Sequence, residues 1–132
     1  LAEMAGASLR ALNVKIIGHA GEMGRGGQPV IVVDAIDQEL AAVAAELFAA
    51  VGSVVVANAD VVQTINVIAT EQALRAAVLL EQALRTAGIE NWEMIHGALS
   101  VVAPGVIKAY AEDDLGPFAR KIIAALREEE LP

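Results

Sequence analysis

The sequence predicts an α/β part followed by an all-α part: a small three-stranded α/β layer, then a C-terminal helical region built on one long helix. Three observations predict it. The β-branched runs "VKII", "PVIVV" and "SVVV" all fall before residue 57. After Asp60 that β signal stops and apolar residues recur at helical spacing. An alanine-rich run starts at Asp60 and is closed by Gly88, the residue that ends helices most readily.

Taken in order, residues 1–12 read as a helix, because Leu1, Ala5, Leu9 and Leu12 share a face. "NVKII" is a strand, and the glycine-rich stretch "GHAGEMGRGGQ" links it to the next. "PVIVVDA" is continuously apolar, as expected of a strand covered on both faces. Asp34 or Asp37 caps the helix "DQELAAVAAELFAAV", which stops at Gly52, and "SVVVANA" is the third strand. Asp60 caps the long helix over 60–86, a span of about 40 Å. A further helix covers 91–103 and is cut near Pro104–Gly105, with a shorter piece through "VIKAYA". Gly116–Pro117 opens the last helix, "FARKIIAALREEE". The expected organisation is one domain over 1–132, with an α/β part at 1–59 and a helical part at 60–132.

Composition narrows the function classes. The chain is 56% hydrophobic, above the usual 45–50% or so, and much of the excess is alanine. Helix 60–86 is apolar nearly all round, so it needs cover on most faces, and the expected partner is a second copy in a homo-oligomer. A net charge of −8 leaves no basic stripe for phosphates, which argues against nucleic acid and anionic membrane surfaces. The longest charge-free apolar stretch, "GALSVVAPGVI", falls short of the roughly 20 residues that span a bilayer. There is no cysteine and no secretory pattern, so the expected location is the cytoplasm. An opening at Leu1 is consistent with a piece of a longer chain.

Two stretches carry candidate binding residues. In the first, Gly18, Gly21 and Gly24 follow a strand at the spacing of a dinucleotide fingerprint, but no helix follows to receive a pyrophosphate. A looser role remains. Exposed amides at Gly21 and Gly24 can form a nest for a carboxylate or phosphate, with Arg25 pairing with it and His19 as a donor. The alternative is a plain connector. In the second, Gln63, Asn66 and Thr70 lie at i, i+3 and i+7 and share a face of an otherwise apolar helix. Amides and hydroxyls suit a partly buried site, whereas a solvated face recruits Lys or Glu. His19 and His96 lack metal-ligand spacing, so no metal site is expected.

"INVIATEQALRAAVLLEQALRTAGIENWEMIHGALS" resembles the long interdomain helix of the β-hydroxyacid dehydrogenases, relatives of 6-phosphogluconate dehydrogenase. Ile65–Asn66, Ala87–Gly88–Ile89 and Leu99–Ser100 stand in that family's order. Upstream, "DQELAAVAAELFAAVGSVVVA" resembles its last α-β unit, and "VKIIGHAGEMGRGGQPVIVV" resembles two strands whose glycine-rich link touches the substrate's acid group. The resemblance covers residues 1–100, in the order of the back half of such an enzyme. It implies a cleft formed by the loop and the start of the long helix. The departures are specific. The family's catalytic lysine falls at Gln63 and its partner amide at Val67, with Asn66 adjacent, and the fingerprint half is absent. Gln63 cannot exchange a proton as a lysine does. Two expectations stand: a dehydrogenase-related module that binds a small acidic metabolite without catalysing hydride transfer alone, or a non-catalytic homodimerisation domain. No particular cofactor is indicated.

Overall fold

The computed structural model describes residues 12–18, 29–35 and 37–130. The helix expected over 1–12 and the loop residues His19, Gly21, Gly24 and Arg25 lie outside them, except that Leu12 begins a strand. The expected α/β part followed by an all-α part is present. Strands β1 (Leu12–Ile17), β2 (Val30–Ala35) and β3 (Ser53–Val56) form a sheet in the order β1-β2-β3. β1 is antiparallel to β2, with Val14 opposite Val33 and Lys15 opposite Val32. β3 is parallel to β2, which requires a crossover, and helix α1 (Gln38–Phe48) supplies it.

Side chains alternate across a strand, so this register sorts the two faces. Ile31 and Val33 join Ala41 and Ala44 of α1 in a buried core, flanked by Leu12, Val14, Ala35, Phe48 and Val54. Val32 points the other way and is equally buried. β2 is thus covered on both faces, the reason its sequence is continuously apolar.

Of the two aspartates, Asp37 caps α1: its Oδ1 accepts from the amides of Glu39 at 2.9 Å and Leu40 at 3.3 Å. The helix ends at Phe48, earlier than the sequence suggested, because the Phe48 carbonyl receives Val51 and Gly52 in a turn. Gly52 lies against Pro29, whose carbonyl accepts the Ser53 amide at 3.1 Å. A Cβ on Gly52 would stand 2.7 Å from Pro29 Cγ, so only glycine fits.

Helix α2 runs Asp60–Thr86. Asp60 is its first residue and not its cap, since the Asp60 amide donates to Asn58 Oδ1 at 2.8 Å. At the other end Gly88 takes φ 89°, Ile89 N–H reaches back to the Leu84 carbonyl, and Gly88 N–H reaches the Arg85 carbonyl. That double closure is a Schellman motif and needs a left-handed residue at Gly88.

The chain divides into two compact units, Leu1–Ala73 and Leu74–Pro132, so the division falls inside α2 whereas the β signal ends before it. In the second unit α3 (Trp92–Gly97) is capped by Asn91, whose Oδ1 accepts the Met94 amide at 3.1 Å. A wide π turn, Ala98–Val102, then joins α3 directly to α4 (Ala103–Ala111). Pro104 therefore does not cut the helix. In regular α geometry its ring would strike the carbonyl four residues back. Here the Ala103 amide skips to the Ala98 carbonyl, and the opened turn accommodates the ring. The helical stretch Trp92–Ala111 is 20 residues, long and apolar enough to cross a membrane by length and composition, where the uncharged run in the sequence was not. Helix α5 (Pro117–Glu130) starts with proline at its first position, where no amide is needed, and the Arg120 amide closes its first turn on the Gly116 carbonyl.

Candidate functional site: a groove between β1 and α2

Two side-chain bonds to backbone hold the sheet beside the first turns of α2. Asp34 Oδ2 accepts the Ala59 amide at 2.8 Å. Asn66 Oδ1 accepts the Gly18 amide at 3.2 Å. Asp34 lies opposite Asn13 in the sheet. β1 therefore runs alongside α2 from the level of Ala59 to the level of Asn66.

Between them lies a groove of ≈ 630 Å³, within the size range of small-molecule sites. Its apolar part is Ile16, Val62 and Val67, with Val62 only 3% exposed at the base. Its polar part is Lys15 from β1 and Gln63, Asn66, Thr70 and Glu71 from α2. A second groove of ≈ 450 Å³ shares Asn66 and Thr70 and reaches Ile17, Gly18 and Ala73. The two residues thus stand on the ridge between both hollows.

The structure brings together the three helix residues expected from their spacing: Gln63, Asn66 and Thr70 face one groove. Asn66 has an additional, structural duty. The Gly18 N–H can only donate, so the atom facing it is the amide oxygen. That leaves Nδ2, a donor, without a partner among the described residues.

Two groove residues were not singled out in the sequence. Lys15 is the one charge in β1, and the register opposite Val32 puts it on the sheet face away from the α1 core. The signal existed in "NVKII", where a lysine interrupts an apolar strand at an alternate position. Glu71 follows Thr70 and closes the polar row. Lys15 and Glu71 thus put charges of both signs in the groove lining.

His96 makes no such site. It sits on the exposed side of α3, where the Ser100 hydroxyl donates to the His96 carbonyl at 2.6 Å, leaving no hydroxyl hydrogen for the ring 3.4 Å away. Among the described residues no cluster of His, Asp and Glu could hold a metal ion. Comparison with protein-family models, with curated proteins and with solved structures gave no match.

Proposed function

We propose that the chain is a dehydrogenase-related module that binds a small acidic metabolite along the β1–α2 groove and does not transfer hydride alone. The observation that carries this reading is the polar row Gln63–Asn66–Thr70 lining one groove with the Lys15 ammonium. An ammonium takes a carboxylate or phosphate, while amides and a hydroxyl take the ligand's hydroxyl groups. Gly18, from which the glycine-rich loop departs, is bonded to Asn66. That favours His19, Gly21, Gly24 and Arg25 as further contacts of the same ligand.

The test is calorimetry and thermal shift with hydroxy acids, phosphorylated sugars and nucleotides. One class is expected to bind and raise the midpoint. Lys15→Gln and Arg25→Ala are each expected to weaken it by about 1.5–3 kcal/mol, the range for a hydrogen bond to a charged group, and Gln63→Leu by about 0.5–1.5 kcal/mol, the range for a neutral one. Asn66 is a poorer probe, because removing it also frees the Gly18 amide. A panel without a binder, or a binder indifferent to all three substitutions, defeats the proposal. No turnover with NAD or NADP is expected.

A second reading, homodimerisation through the helical part, has its own support. From Leu74 to Glu129 only Ile95 is buried among the described residues, while Leu79, Val101, Ile107 and Phe118 are more than half exposed. Such a surface on a helical unit calls for cover. Light scattering at micromolar concentration is expected to give a dimer or larger species, and a monomeric mass removes this reading.

A further inference from the structure

The second unit has a groove of its own, ≈ 460 Å³, between α4 and α5. α5 lines it with Arg120 and Arg127, two turns apart on one face, and with Ile123 and Ala124 between them. The other wall is Tyr110, Asp113 and Leu115. Arg127 Nη2 donates to the Tyr110 hydroxyl oxygen at 3.1 Å, so the phenol keeps its own hydrogen to give. Neither arginine forms an ion pair with a described residue, and neither does Asp113. Charges of both signs thus line the same hollow without meeting.

Asp113 is also an unexpected residue for its backbone. α4 ends as α2 does: Asp114 N–H reaches the Ala109 carbonyl at 2.9 Å and Asp113 N–H the Tyr110 carbonyl at 3.2 Å. The left-handed position of that closure is Gly88 in α2 but Asp113, with φ 54°, in α4. Glycine adopts this conformation freely and an L-residue at a cost. Asp113 thus holds a carboxylate at a position that glycine fills freely.

We propose that this groove binds a small zwitterion of the amino-acid class. The arginine wall and the Tyr110 hydroxyl hold its carboxylate, Asp113 holds its ammonium, and Leu115, Ile123 and Ala124 receive its side chain. A guanidinium suits a carboxylate because its fork of donors matches the two oxygens. A simple anion would be repelled by Asp113, and a simple amine by the arginines, so only a ligand with both charges satisfies every wall. The site uses no residue of the β1–α2 groove and stands or falls apart from it.

Calorimetry of the full chain against each free L-amino acid at millimolar concentration tests this. At least one is expected to bind saturably, and its N-acetyl and carboxamide derivatives, each lacking one charge, to bind at least about tenfold more weakly. Asp113→Gly is the decisive variant, because glycine suits the turn. Its thermal midpoint is expected to stay level or rise while affinity falls at least about tenfold. Arg120→Gln is expected to lose affinity likewise. The proposal is overturned if no free amino acid binds, if the N-acetyl derivative binds as well as the parent, or if Asp113→Gly binds unchanged.

Discussion

Replacing Asp34 by alanine tests how the β1–α2 groove is held open. Asp34 Oδ2 receives the Ala59 amide at 2.8 Å, one residue before α2 begins, and Ala59 is 2% exposed. In Asp34→Ala that amide has no acceptor and little access to water. A hydrogen bond to a charged group contributes about 1.5–3 kcal/mol, and an orphaned buried donor costs a similar amount. The carboxylate also faces the positive end of the α2 dipole, adding roughly 0.3–1 kcal/mol. The expected loss is about 2–4 kcal/mol. At about 1–3 kcal/mol per molar urea, the unfolding midpoint followed by circular dichroism should fall by roughly 1–2 M. Asp34→Asn keeps an oxygen in place and should lose less than half as much. Hydrogen exchange at the Ala59 amide should accelerate in the alanine variant and change little in the asparagine one. Equal losses for the two variants, or an alanine variant within about 0.5 kcal/mol of the parent, would refute the claim that this bond anchors α2.

Gly52→Ala should destabilise the sheet unit by about 1–3 kcal/mol, since the new methyl meets Pro29 beside the first β2–β3 rung; an unchanged urea midpoint would sink this account. Gly88→Ala meets no atom within 4 Å, so its expected cost of about 1–2 kcal/mol is purely conformational. Gly88→Asn should cost less in a thermal melt, because asparagine tolerates the left-handed region, and an asparagine variant as damaged as the alanine one would contradict that reason.

What could be read from the sequence was local. β-branched runs marked the strands, and the start of α5 and the end of α2 carried their proline and glycine signals. The i, i+3, i+7 pattern put Gln63, Asn66 and Thr70 on one face because both partners of that relation lie on a single helix. What escaped was non-local. Asp34 and Asp37 look equivalent in "VDAID", yet one caps the next helix and the other reaches an amide 25 residues away. Lys15 enters the groove through its pairing with Val32 across the sheet, a register no single strand specifies. Pro104 differs for another reason: a proline signals a break only if the turn before it is a regular one, and here that turn is wide.

That wide turn also acts on geometry farther along. The five residues Ala98–Val102 fill one wide turn, so the helix after them lags a regular α-helix of the same residues by about 100° and about 1.5 Å, the increments of one residue. Ile95, buried before it, and Tyr110, at the groove after it, are therefore set at an azimuth that no uniform helical period would give. Deleting one residue from Ala98–Val102 would close the turn to regular geometry and leave Tyr110 near its present azimuth. The same deletion would return the Pro104 ring to the path of the carbonyl four residues back. Ring and surplus residue therefore constrain each other: the residue opens the turn for the ring, and the ring bars the turn from closing.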